Sequence, residues 1–116
     1  MVNPYDHAHQ LARSIRASQP YQDMKEAKRK LEENPKFREM LEKFTGMRLN
    51  MQTLYMQGKE PSPEQKEEME KLTTAIQGVP AITAYLQAEE RLMVLLQDLQ
   101  RIIMEPVEDL FGKGNK

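Results

Sequence analysis

The sequence contains no cysteine and no tryptophan among its 116 residues. Without cysteine the chain can form neither disulfides nor thiolate metal sites, and it has no thiol nucleophile. No apolar run approaches the roughly 20 residues that a membrane-spanning helix needs. The first ten residues carry polar and ionisable side chains without an apolar segment. No signal peptide is therefore expected, and a cytoplasmic location is predicted.

The chain also has no large excess of either charge, because it contains 17 basic and 18 acidic residues and its net charge is -1. Such a chain has no overall field that would attract nucleic acid or an anionic membrane, so neither is an expected partner. The length is typical of one domain. We expect a single helical domain over residues 1–111 and a flexible tail over 112–116.

The most prominent pattern in the sequence is a pair of long apolar stripes, in which residues are spaced alternately by three and four positions. Such spacing keeps the residues on one face of a helix, which other helices must cover as core or as interface. The first stripe comprises Phe37, Met40, Phe44, Met47, Met51 and Leu54. The second comprises Ala81, Tyr85, Ala88, Leu92, Leu95, Leu99 and Ile102.

Local signals at helix ends predict five helices, over about 4–17, 19–33, 35–57, 63–77 and 80–105. Asn before Pro at 3–4 and 34–35, and the Ser62 capping box, mark helix starts. Gly58 and the two prolines that follow mark a loop. The third helix is expected to continue through Gly46, whereas Pro106 is expected to kink or end the fifth, with one short turn to Phe111. No segment alternates with period two, so the prediction is an all-α bundle of about five helices, two of them long and heptad-patterned, with no sheet.

Residues for catalysis or metal binding are not found in a useful pattern. His7 and His9 point to different sides of a helix, and Ser18 and Ser62 are explained as caps. The acidic residues form no Glu-x-x-His element of a di-metal bundle. We therefore predict no catalytic residue, no cofactor and no metal, and hence no enzyme.

Contacts with other chains are the remaining possibility. Two spine helices of roughly 35–40 Å could bury well over 1,000 Å² between protomers, so a homodimer is predicted. Met56 lies outside the first stripe, and Glu89 and Glu90 interrupt an apolar helix. These three residues are candidates for a surface that binds a further, unidentified protein, with Arg91 and Arg101 as candidate ion-pair partners of the two acids.

Several segments resemble the YheA-like proteins of Gram-positive bacteria, a branch of the YlbF/YmcA superfamily. The similar segments are 5–15, 21–31, 57–62 and 84–89, in matching order. The resemblance implies an all-α, oligomeric, non-enzymatic regulator. The better-known relatives are associated with a complex that influences RNA processing by a membrane-anchored endoribonuclease, and with competence, biofilm formation and sporulation. Some relatives carry cysteines linked to iron–sulfur clusters, which this chain cannot hold.

The favoured hypothesis is thus a cytoplasmic adaptor or regulator that acts by binding. One alternative is an RNA-associated module using Lys25, Lys28, Arg29 and Lys30, although Glu26, four residues before Lys30, favours a solvated helix face with surface ion pairs. Glu39–Lys43 and Glu67–Lys71 repeat that spacing. Another alternative is a carrier of a hydrophobic small ligand, held in a cavity between the third and fifth helices.

Overall fold

A computed structural model describes residues 3–112 of the chain. Within this range it contains five α-helices and no strand: α1 (Pro4–Ala17), α2 (Gln19–Glu32), α3 (Pro35–Met56), α4 (Pro63–Gln77) and α5 (Pro80–Phe111). The predicted all-α class with two long helices is confirmed. The bounds of α1 and α4 match the prediction, and α2 and α3 each end one residue earlier. No helix of the described part is long and apolar enough to cross a membrane.

Side-chain caps explain where the helices begin. The Oδ1 atom of Asn3 accepts a hydrogen bond from the backbone N–H of Tyr5 at 2.8 Å. Ser62 and Gln65 form a reciprocal capping box, with distances of 3.1 and 2.8 Å. These bonds satisfy N–H groups that have no partner inside the helix, while a proline in the first turn has no N–H to satisfy.

Helix α5 differs from the prediction, because it does not end at Pro106 but continues to Phe111. A proline inside a helix leaves the carbonyl oxygen four residues earlier, here that of Ile102, without its N–H partner. Residues 102–107 are all exposed, so water can reach this part of the helix. The cost of the missing bond is lower where the carbonyl is solvated than in a buried helix, and the helix continues.

The chain divides into two compact units, which are described separately. The internal unit comprises Lys25–Leu86, and the terminal unit comprises Met1–Met24 and Gln87–Lys116, of which residues 3–24 and 87–112 are described. The single domain predicted over 1–111 stays a prediction. The predicted tail lies outside the described residues from residue 113 onward.

The internal unit contains the main core, in which α3 packs against α4. Its buried side chains are Leu31, Leu41, Ile76 and Ile82, and Ile82 is fully buried. Burying one such side chain contributes roughly 1.5–3 kcal/mol. In the terminal unit Ala88 is the one buried apolar residue among those described. Within residues 3–112, few apolar side chains are therefore fully removed from water by the chain itself.

Candidate interaction surfaces

Most of the large apolar side chains along α5 face solvent, and we call them the α5 surface. Leu110 and Phe111 are the most exposed, at 77% and 78%. Seven of the nine members, all except Val94 and Ile102, lie within about 120° of one another around the helix. Taking about 200 Å² for a fully exposed large side chain, these seven expose roughly 750 Å² together. The largest apolar patch of a typical monomer is about 300–600 Å². The α5 surface comprises Met93, Val94, Leu96, Ile102, Ile103, Met104, Val107, Leu110 and Phe111.

A second apolar feature, the α3–α4 groove, lies in the internal unit and has a volume of about 580 Å³. Two of its side chains are themselves exposed, Met56 at 82% and Tyr55 at 61%. It is lined by Arg48, Met51, Gln52, Tyr55 and Met56 of α3 and by Met69 of α4.

The end of α3 is fixed by a Schellman motif beside this groove. Gly58 adopts φ +76°, its N–H donates to the Tyr55 carbonyl at 3.0 Å, and the Lys59 N–H donates to the Leu54 carbonyl at 2.8 Å. Only glycine adopts this φ readily. The motif holds the last turn of α3, and thus the backbone of Tyr55 and Met56, in place.

Arg48 is the one charged residue that lines the groove. Its guanidinium carbon lies 5.4 Å from the centroid of the Phe44 ring, which is cation–π geometry. It forms no ion pair with any residue in the described range. An uncompensated positive charge therefore stands beside an apolar groove.

The first predicted stripe lies in the internal unit, and its members are half-buried. Phe37, Met40 and Phe44 pack against the core. Met47 lines a shallow groove with Leu72, Met51 lines the α3–α4 groove, and Leu54 is half-buried near the end of α3. Whether members of the stripe also contact another chain stays a prediction.

The second stripe is divided between the two units. Tyr85 packs against the core of the internal unit. In the terminal unit Leu92, Leu95 and Leu99 are half-buried, and Ile102 is 54% exposed. The apolar face of α5 thus becomes progressively less covered toward the carboxyl end.

The three predicted partner-surface residues are not brought together. Met56 borders the groove, whereas Glu89 is half-buried and Glu90 exposed on α5. Neither acid forms an ion pair with a residue from 3 to 112. Arg91 instead lies 3.9 Å from Asp23, and Arg101 lies 3.3 Å from Asp98. Pairing of Glu89 or Glu90 with a second chain stays a prediction.

The sequence analysis did not predict that α5 continues through Pro106, and it missed most of the groove. The sequence does contain a signal for the continuation of α5. Apolar residues keep the helical spacing across Pro106, at Met93, Leu96, Ile103, Val107 and Leu110. The groove gave no such signal, because it forms only when Met69 of α4 lies against the last turns of α3.

The basic run of α2 is partly neutralised by its own helix. The Arg29 guanidinium donates to Glu26 at 2.8 Å and to Glu33 at 2.6 Å. The hydrogen bond from Arg29 lowers the pKa of the Glu26 carboxyl below its usual 4.5, and these acids in turn raise the pKa of Arg29. Glu26 therefore pairs with Arg29 and not with Lys30 as predicted. Of the other predicted pairs, Glu67–Lys71 is present at 3.7 Å.

Metal-binding clusters of three or more His, Asp or Glu side chains do not occur in residues 3–112. His7 and His9 are both exposed on α1. The prominent features of the described part are its apolar surfaces.

Comparison with known proteins identifies the family of this chain. A family model described as control of competence regulator ComK, YlbF/YmcA, matches residues 5–108. The chain belongs to the YlbF/YmcA family. The resemblance found in the sequence is thereby confirmed, and the family description names regulation and no reaction.

Two relatives of this YlbF/YmcA protein match over nearly their whole length. A UPF0342 protein of Streptococcus mutans is 35% identical over 109 residues, which are 94% of this chain and 96% of the relative. A UPF0342 protein of Symbiobacterium thermophilum is 39% identical over 104 residues, 90% of this chain and 93% of the relative.

Two solved structures have the same fold. A DUF964 protein from Bacillus stearothermophilus matches with a TM-score of 0.74 and 24% identity, covering 95% of this chain and 96% of that one. The yheA protein from Bacillus subtilis matches with a TM-score of 0.67 and 24% identity, covering 95% of this chain and all of the other (100%). The five-helix architecture is therefore shared with experimentally determined folds.

Proposed function

We propose that this protein is a cytoplasmic adaptor or regulator whose output is binding to other proteins, and that it self-associates as a homodimer. The observation that carries the proposal is the α5 surface. One face of it exposes roughly 750 Å² of apolar area, close to the about 800 Å² that each partner contributes to a standard interface. The membership of a family described by regulation supports the same conclusion.

A non-catalytic role is supported by the character of the surfaces. Enzyme sites combine a concave pocket with convergent titratable groups whose pKa values are perturbed. Here the apolar features are an exposed helix and a groove with a single charged residue. The groups whose pKa shifts, Glu26 and Arg29, belong to a surface ion-pair network on α2.

Self-association is tested by truncating one side chain of the α5 surface. Leu110→Ser is expected to weaken the homodimer about 100-fold, because a symmetric dimer loses two buried leucines worth about 1.5 kcal/mol or more each. The matched control is Leu49→Ser, which changes another exposed leucine (62%) that lines neither surface. Sedimentation equilibrium measures the association, and circular dichroism checks that helicity is kept. A wild-type protein that stays monomeric at all concentrations would contradict the proposal.

The regulatory role is tested by capturing the tagged protein from its native cytoplasm with and without RNase. A stoichiometric partner protein that resists RNase and is retained by Leu49→Ser is expected. Partners that disappear with RNase would favour the RNA-associated alternative instead, and the absence of any partner would contradict an adaptor role.

A further inference from the structure

One face of the α5 surface has a heptad pattern that reads the same in both directions along the chain. We infer that α5 of one copy packs antiparallel against α5 of a second copy along this face, with the twofold axis midway between Gln100 and Ile103. The inference rests on the self-association part of the proposed function and adds the direction and the register of the contact. The face, which we call the α5 seam, comprises Met93, Leu96, Gln100, Ile103, Val107 and Leu110.

The spacing of the α5 seam makes it complementary to itself. Its residues follow one another at intervals of three, four, three, four and three, as the a and d positions of a heptad do. Because this series is the same when the helix is reversed, two antiparallel copies place every a position opposite a d position. All six side chains are exposed in the single chain and are therefore available to a second copy. The facing pairs, each formed twice by symmetry, are Met93 with Leu110, Leu96 with Val107, and Gln100 with Ile103.

The area of the α5 seam fits a contact between two copies. Together with Met104 and Phe111, which border it on one side, it exposes roughly 750 Å² of apolar surface in each chain. Two copies would bury about 1,500 Å², within the about 1,200–2,000 Å² of a specific stable interface. No charged residue lies on this face of the helix from Met93 to Phe111, so two identical faces meet without repulsion.

Glu89 selects the direction and the register of the pair. It lies four residues before Met93, at the preceding d position of the same face, and is half-buried. In a parallel pair the two Glu89 carboxylates would face each other in the layer beside Met93, whereas in the antiparallel pair they are about 37 Å apart. An antiparallel shift by one heptad would either place Glu89 against Val107 or leave Met93 without a facing residue. The inferred register avoids both.

Gln100 is the one polar residue of the α5 seam. Its amide is exposed and forms no hydrogen bond with another side chain of residues 3–112. In the inferred pair the two copies of Gln100 lie on either side of the twofold axis, about 4.5 Å apart along it. Each amide can then donate a hydrogen bond to the other, which satisfies both at the centre of the contact. A single polar layer of this kind fixes the register of paired helices.

Charges introduced at position 100 test this central pair. Gln100→Glu and Gln100→Lys are each expected to weaken self-association about tenfold in sedimentation equilibrium, because like charges meet at the axis. Mixing the two variants, distinguished by a mass tag, should restore association to within about threefold and give mainly the mixed dimer in native mass spectra. The matched control makes the same two changes at Gln87, an exposed glutamine about 140° away around the same helix, where neither should have an effect. Gln100 variants that associate like the wild type, or without preference for the mixed dimer, would overturn the inference.

Cross-linking tests the direction, because the natural chain contains no cysteine. Position 93 of one copy faces position 110 of the other, whereas the two copies of either position lie about 25 Å apart in the antiparallel pair. Met93→Cys and Leu110→Cys proteins are treated with a short bismaleimide, separately and mixed, at a concentration where sedimentation shows dimers. The expected product forms only in the mixture and joins one copy of each kind. Leu49→Cys in place of Leu110→Cys is the control and should give no product.

These outcomes separate the inference from the proposed function. A product from Met93→Cys alone or Leu110→Cys alone indicates parallel packing and overturns the inference. A stable dimer without the mixed product rejects the pairing of the α5 seam and leaves self-association standing. A wild-type protein that is monomeric at all concentrations rejects both.

Discussion

Single side chains at helix ends account for much of the local order in this chain. The Asn34 Oδ1 atom accepts hydrogen bonds from the N–H groups of Lys36 and Phe37, at 3.1 and 3.4 Å. Such a cap contributes about 1 kcal/mol and fixes the first residue of the helix. Phe37 also packs on the core, so the cap and a core contact stabilise the same first turn of α3.

The Glu26–Arg29 pair on α2 gives a pH-dependent effect at the same scale. The pKa of Glu26 lies below its usual 4.5 in the folded chain, so the pair stabilises the fold above this value and is lost as pH falls through the lowered pKa. In an NMR titration of the side-chain carboxyl carbon, Arg29→Gln should move the Glu26 midpoint upward, toward 4.5. Arg38→Gln is the control and should leave it unchanged. Equal midpoints in all three proteins would contradict the pairing.

At the scale of the element, α3 and α5 both pass through residues that disfavour helix. Gly46 lies in the interior of α3, and a Cβ built there meets no atom within 4 Å. Pro106 lies inside α5. Both helices continue because the flanking turns supply their own hydrogen bonds, and in α3 the side chains on either side of Gly46 also pack.

Two glycine substitutions, matched in available space, test this account. Gly46→Ala should stabilise the protein by about 0.5–1 kcal/mol, because alanine favours the helix and nothing obstructs its methyl group. Gly58→Ala should destabilise it by about 1–2 kcal/mol, because Gly58 has φ +76° although its surroundings are equally open. Chemical denaturation measures both free energies of unfolding. The same sign for both variants would show that backbone conformation does not decide the effect.

Helix positions were predictable because their signals are local. Asn3 with Pro4, Asn34 with Pro35, and Ser62 with Gln65 each encode a start within a few residues. The end of α5 was not predictable from Pro106 alone, since the cost of a helical proline depends on the solvation of the preceding turn. The α3–α4 groove depends on the packing of two helices, which no short pattern of residues specifies.

For the molecule as a whole, the fully buried core is small and the exposed apolar area is large. Apart from Pro61 in the loop before α4, the buried apolar residues in the described range are Leu31, Leu41, Ile76, Ile82 and Ala88. Leu110 and Phe111, by contrast, are more than three-quarters exposed. Much of the apolar surface that could stabilise the fold is therefore available only through contact with another chain, and folding and association should be thermodynamically linked.

This linkage predicts a concentration-dependent melting temperature. A roughly hundredfold dilution of the wild-type protein should lower Tm by several degrees, because the dimer dissociates by mass action. Leu110→Ser should melt at a lower temperature with little dependence on concentration. Thermal unfolding followed by circular dichroism at several concentrations measures both. A wild-type Tm that is constant across the range would argue against a stabilising interface.

The methionines of the α3–α4 groove make its lining sensitive to oxidants. Met51, Met56 and Met69 line it, and Met56 is 82% exposed. Conversion to the sulfoxide gives a side chain a polar oxygen. Mild peroxide treatment should therefore oxidise Met56 before the half-buried Met51 and Met69, as peptide mass spectrometry measures, and equal rates at the three positions would contradict this order. The lining of the groove would then become more polar under oxidative stress, in a chain that has no thiol to react.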